Sequence, residues 1–135
     1  VRDAGSGILG ANHTWDFDHN YEPTEPYDQD DVDVKYFVGE HGPEILQGMN
    51  GVKMHVFPVD CYFDFGTLTY SDLVHATYDI DSFNVSGGYR DIGPGSTFGL
   101  KTTEGRYVKV CMTGYSTYTG FPWKVVVYDT KWPHE

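Results

Sequence analysis

Residues 98–112 read Phe98-Gly99-Leu100-Lys101-Thr102-Thr103-Glu104-Gly105-Arg106-Tyr107-Val108-Lys109-Val110-Cys111-Met112. Two β-rich runs, Phe98–Thr102 and Tyr107–Met112, flank a short polar link containing Gly105, which is the pattern of a β-hairpin. Gly105 can take the positive φ that such a turn requires. Short runs of the same kind recur on both sides: His13–Phe17, Val32–Val38, Val52–Phe57, Cys61–Phe65, Thr77–Ile80, Thr97–Thr102, Tyr107–Met112 and Trp123–Tyr128. Between them stand turn formers: Gly39, Gly42-Pro43, Asn50-Gly51, Gly87-Gly88 and Gly93-Pro94-Gly95. One short helix is predicted at Ser71–His75, with Thr69 as N-cap and Asp72 three residues later. About eight short strands with almost no helical period predict an all-β fold, an antiparallel β-sandwich of Greek-key or jelly-roll type. The expected organisation is a flexible N-terminal arm over 1–12, containing Gly5, Gly7 and Gly10, followed by a single domain over 13–135.

Composition narrows the function classes. The chain has 135 residues, 20 acidic against 9 Lys+Arg, and a formal net charge of −11. That balance excludes nucleic acid or an anionic membrane surface as the main partner and suits cations, neutral sugars or basic proteins. No run approaches ~18 apolar residues, so no apolar helix inserts into a membrane. The charge is concentrated: Asp16, Asp18, Glu22, Glu25, Asp28, Asp30, Asp31 and Asp33 lie together, and no Lys or Arg occurs between Arg2 and Lys35. Pro23 and Pro26 break any helix there, which makes the stretch an acidic loop.

Several features point outside the cell. Val1 stands where Met would begin a chain, and no basic-plus-apolar leader is present, which reads as a mature or trimmed protein. Asn12-His13-Thr14 and Asn84-Val85-Ser86 are glycosylation sequons. Cys61 and Cys111 each sit in a β-like run and are expected to pair, closing a loop of about 50 residues and adding roughly 4 kcal/mol in the chain-entropy picture. The alternative is two buried thiols in a reduced protein. The expectation is a secreted chain.

The order Trp15-Asp16-Phe17-Asp18, Asp31-Val32-Asp33-Val34, Asn50-Gly51-Val52-Lys53, Val59 to Leu73, Gly95-Ser96-Thr97-Phe98 and Thr102-Thr103-Glu104-Gly105-Arg106-Tyr107-Val108-Lys109-Val110 spans roughly 13–128. It resembles an uncharacterised, often repeated β-module of secreted and cell-surface bacterial proteins, most specifically in its last block. Around Asp60–Thr67 and Gly114–Phe121 the chain departs from it. The resemblance implies an extracellular β-module and no activity.

Three Asp-x-Asp pairs, Asp16/Asp18, Asp31/Asp33 and Asp79/Asp81, each place two carboxylates on one face of a strand. A non-EF-hand Ca²⁺ site is a candidate for Asp16, Asp18, Asp28, Asp30, Asp31 and Asp33, since Ca²⁺ takes six to eight oxygens. The EF-hand itself fails, with Tyr21 at its Gly position and Tyr27 at its bidentate Glu position. The competing reading is an acidic solvated face. His13, His19, His41, His55, His75 and His134 form no zinc spacing. No Gly-x-Ser-x-Gly elbow exists, so an acid-pair hydrolase is the only enzymatic reading that survives, and it stands last.

Tyr115, Tyr118 and Phe121 lie in or beside the Gly/Thr/Ser-rich stretch 113–120 and could form a stacking platform for pyranose rings. The leading expectation is therefore a non-enzymatic module that binds a glycan or a cell-surface protein, with Ca²⁺ in the acidic segment. The second is self-association: Gly7-Ile8-Leu9-Gly10-Ala11 could add to the open sheet edge of a neighbouring subunit in a filament or surface layer.

Overall fold

The computed structural model describes residues 3–19, 31–39, 44–86, 90–114 and 120–128. Among these residues nine strands form two antiparallel sheets: β1 (Asp3–Leu9), β2 (Thr14–Trp15), β3 (Val34–Val38), β4 (Glu44–Gly48), β5 (Met54–Phe57), β6 (Ser82–Asn84), β7 (Thr97–Lys101), β8 (Tyr107–Met112) and β9 (Phe121–Tyr128). One sheet runs β1-β9-β8-β7-β5 and the other β2-β3-β4-β6. Between β5 and β6 lie helix α1 (Cys61–Asp64), a 3₁₀ turn over Phe65–Thr67, and helix α2 (Tyr70–His75). The chain is thus the all-β sandwich that its sequence predicts.

The hairpin that opens the reading is β7–β8, with Phe98 opposite Val110 and Leu100 opposite Val108. Gly105 takes φ +88° in its turn. Period-2 alternation then decides what faces inward. From the larger sheet Phe98, Leu100, Val108, Val110, Met112, Phe121, Trp123 and Val125 enter the core; from the smaller come Val34, Tyr36, Leu46 and Phe83. Ring pairs bridge the layers: Trp15 on Trp123 at 5.4 Å, Phe83 on Phe98 at 5.4 Å and Tyr36 on Phe121 at 5.8 Å between centroids.

Strand β8 is covered on both faces, because the helical segment lies over its outer side. Phe57, Leu68, Tyr70, Leu73 and Tyr128 form a second small core there. Lys109 is buried in this layer, its ammonium donating to the carbonyls of Phe65 at 2.9 Å and Leu68 at 2.8 Å. The helix expected at Ser71–His75 is present as α2. Thr69 caps it: its hydroxyl accepts from Asp72 N–H while the Asp72 carboxylate accepts from Thr69 N–H. That second bond holds the Asp72 carboxyl below its ordinary pKa.

Three expectations are corrected, and one strand was not expected. Residues 3–9 of the supposed flexible arm are strand β1, paired along its length with β9 from Asp3 opposite Val127 to Leu9 opposite Phe121. Its Leu9 is fully buried, at 0% exposure, which draws β1 into the domain. Cys61–Phe65 is not a strand: Asp60 caps a helix by accepting from Tyr62 N–H, and Phe63 stands out at 85% exposure. The run Thr77–Ile80 supplies only a bridge from Ile80 to Met54, and the strand follows it as β6. Strand β4 escapes the sequence reading because Glu44 and Gln47 flank only two strong apolar residues, Ile45 and Leu46.

Cys61 and Cys111 are joined by a disulfide, with Cα atoms 5.5 Å apart and a sequence separation of 50. It fastens the helical layer to β8. Reduction, or the pair Cys61→Ser and Cys111→Ser, should lower unfolding free energy by about 4 kcal/mol. Urea unfolding with and without reductant measures the loss.

Candidate functional site

One end of the sandwich gathers an unusual concentration of buried charge. The chain leaves β2 through Asp16, Phe17 and Asp18 and re-enters through Val32 and Asp33. Opposite stands the β7–β8 turn, Thr102 to Arg106. Asp16, Asp18 and Asp33 are all buried, Asp33 at 0% exposure. One carboxylate oxygen of each lies within 4.8 Å of the others.

Burying three carboxylates together requires donors and positive charge. Asp33 Oδ2 accepts from Phe17 N–H at 2.8 Å and Oδ1 from Thr103 N–H at 2.8 Å. Asp18 Oδ1 accepts from the Thr102 hydroxyl at 2.8 Å and from Arg106 Nη1 at 2.9 Å. Asp16 Oδ1 accepts from Asp18 N–H at 3.0 Å, and Oδ2 meets His19 Nδ1 at 2.5 Å. Five of the six carboxylate oxygens therefore already face a donor. The Asp16 bond raises the pKa of His19, against the opposing effect of desolvation. Asp33 goes the other way for a carboxylate: desolvation, with Asp18 and Asp16 adding repulsion, pushes its pKa up to about 7 despite the two backbone N–H bonds.

The backbone of Asp33 is equally engaged. Its N–H donates to Trp15 O at 2.9 Å and its carbonyl accepts from Met49 N–H at 2.9 Å. One residue thus ties four segments: the strand before it at Trp15, the Asp16–Asp18 turn, the β4–β5 connection and the β7–β8 turn.

The other candidates separate. Asp31 is half-buried beside this cluster, its carbonyl accepting from the Thr103 hydroxyl at 3.4 Å. Asp28, Asp30, Tyr115 and Tyr118 lie outside the described residues. Phe121, expected on a sugar-binding platform, is a core residue at 0% exposure, packed on Tyr36 and Trp123. Asn12 is exposed, but its amide donates to Val38 O at 3.3 Å and accepts from Val38 N–H at 3.0 Å. Asn84 is half-buried and its Oδ1 accepts from Ser86 N–H at 3.1 Å. The sequence reading missed Thr102, Thr103 and Arg106 as partners of the acids; they were legible only as hairpin-turn residues, and the pairing spans 84 positions between Thr102 and Asp18.

A shallow hollow of about 320 Å³ is lined by Asn50, Gly51, Val52, Lys53, Tyr78 and Lys101 to Thr103. Lys53 is ion-paired with Asp81. No family model, no curated protein and no solved structure matches this chain. Among the described residues no helix is long and apolar enough to cross a membrane.

The raised Asp33 pKa has a signed consequence for stability. Between about pH 4 and pH 7 the folded chain keeps a proton that the unfolded chain, with an ordinary carboxyl near ~3.9, has released. Stability should be highest below that window and fall as pH rises through it. Asp33→Asn should flatten this slope while lowering the acid-side stability by about 1–3 kcal/mol, because its amide group cannot accept from both N–H groups. Urea midpoints from pH 4 to 8 for both proteins test it.

Proposed function

We propose that this chain is a non-enzymatic extracellular β-sandwich subunit that associates with copies of itself through its N-terminal strand. One observation carries the reading. Strand β1 closes the larger sheet as an edge strand, held by its seven-residue pairing with β9 and by a single fully buried anchor, Leu9. The next side chain along, Ile8, points outward at 52% exposure. Among the described residues no further strand lies beyond β1 in its sheet, and an edge strand is a template for further pairing. The Cys61–Cys111 disulfide supports an oxidising compartment. The buried acids support a scaffolding role, since hydrogen bonds to backbone N–H groups, Thr102 and Arg106 already engage them.

Light scattering on the full chain across a wide concentration range, with electron microscopy of the concentrated sample, tests the reading. Oligomers or filaments are expected, and deletion of residues 1–8 should remove them. A monomer at every concentration would overturn the proposal.

A second reading is favoured by the three buried carboxylates. Once Asp33 ionises, as a bound cation would favour, they set three negative charges against Arg106 and, when protonated, His19, a balance that a bound Ca²⁺ would improve. On this reading the module is calcium-stabilised and binds a glycan or surface partner elsewhere. Excess Ca²⁺ should then raise Tm by about 5 °C or more, as expected for a ligand far above its Kd, and Asp16→Asn with Asp18→Asn should abolish the shift. An unchanged Tm, or an equal shift with Mg²⁺, would leave the cluster as a hydrogen-bonded hub alone.

A further inference from the structure

We infer that β1 is exchanged between molecules, the strand of one copy lying against β9 of another, with residues 10–13 as the hinge. This rests on the self-association reading above and specifies its contact.

The hinge is short and carries a strained residue. Only Gly10, Ala11, Asn12 and His13 connect β1 in the larger sheet to β2 in the smaller one. Within this link His13 N–H donates back to Gly10 O at 3.1 Å, and Asn12 adopts φ +61°, a left-handed conformation in a residue other than glycine. Asn12 is held there by its N–H on Tyr36 O at 2.7 Å and by its side-chain bonds to Val38. A short connection that must turn through a disfavoured φ is relieved when it straightens, and a straightened link carries β1 away from its own domain.

The strand itself is built to be withdrawn. Its inward positions are Gly5, Gly7 and Leu9, so only one large side chain must leave the core. Gly7 lies over Trp15 and Trp123: a Cβ there would sit 3.6 Å from one ring and 3.7 Å from the other. At the far end Gly120, at φ +100°, lets the chain pass Leu9 so closely that a Cβ there would stand 2.4 Å from the Leu9 carbonyl. The site β1 leaves cannot stay bare. Phe121, Trp123 and Val125 on β9 would lose their cover, together with the main-chain partners of that edge. The segment that restores every contact in the same register, Asp3 on Val127 through Leu9 on Phe121, is the β1 of a second copy. Exchange therefore preserves the pairing energy and removes the hinge constraint.

The experiment uses two full-length variants, Ser6→Cys and Lys124→Cys. These positions face each other in the β1–β9 register, and both are exposed. The variants are mixed, allowed to assemble, oxidised mildly and mapped by peptide mass spectrometry. If β1 stays at home, the two new thiols are on different molecules and cannot meet across the β1–β9 pair; exchange yields the 6–124 disulfide between chains. The hinge is tested by adding Asn12→Ala or Asn12→Gly to both variants. Both lose the side-chain bonds to Val38, but only glycine tolerates the left-handed φ, so the alanine background should give a 6–124 yield at least about 5-fold higher. Assemblies lacking the 6–124 link, with ring closure inside a Ser6→Cys/Lys124→Cys double variant, would overturn exchange and leave self-association standing on other contacts. Absence of both assemblies and link would overturn both. Equal yields in the two hinge backgrounds would overturn the hinge assignment.

Discussion

The buried carboxylate of Asp33 is the constraint on which the loop end of this sandwich depends. A β-sandwich is held in its middle by alternating apolar side chains, but where strands end, backbone N–H groups lose their ladder partners and must find others. Asp33 supplies acceptors to two of them, Phe17 and Thr103, from opposite sheets. Since its own N–H and carbonyl bond to Trp15 and Met49, the residue fixes the spacing between the layers as well as the start of β3. A hydrocarbon side chain of the same size could fill the space and would leave both donors unsatisfied. The cost is repulsion among three acids. Arg106 and His19 answer it by charge, and Asp33 answers it by holding its proton to near neutral pH.

This arrangement revises what the acidic excess means. Read along the chain, the acids from Asp16 to Asp33 look like a solvated face or a cation loop. In the fold, Asp16, Asp18 and Asp33 turn inward and become interior hydrogen-bond acceptors. Three of their donors, on Thr102, Thr103 and Arg106, come from the β7–β8 turn, whose Thr-Thr-Glu-Gly-Arg sequence is also the strongest hairpin signal in the chain. The same five residues thus reverse the chain locally and close the end of the sandwich at long range.

How much of this was legible depends on the range of the interaction. The hairpin, the capped helix at Thr69–His75 and the Cys61–Cys111 bond were readable because each rests on residue types that act locally or have one available partner. Strand β4 was not, since its Glu44-Ile45-Leu46-Gln47-Gly48 has no β-branched or aromatic run and is made a strand by pairing with β3 and β6. Cys61–Phe65 misled in the opposite direction: Cys, Tyr and Phe suggest a strand, but the Asp60 cap and the disulfide to β8 hold the segment as a helix across the sheet. Phe121 looked like a loop aromatic because it follows a Gly/Thr/Ser stretch, and the β9 register turns it into the core instead. The acid–turn pairing spans too much sequence for any local pattern to report it.

Strand β1 is the clearest case of tertiary context overriding propensity, and it links the fold to the proposed function. Asp-Ala-Gly-Ser-Gly-Ile-Leu has weak intrinsic preference for extended structure, and two glycines lower it further. It is a strand because β9 presents an edge that must be covered and because Leu9 fits the core beside Phe121. An element defined by what it covers, and not by its own preference, is equally satisfied on any identical edge. Main-chain pairing carries no record of which molecule supplied the strand; only the Gly10–His13 link does. Whether a strand stays with its own domain then turns on the balance between a short tether and the local concentration of neighbouring edges. That tether holds Asn12 in a backbone region where few side chains settle, so in this chain the tether is also the point of strain.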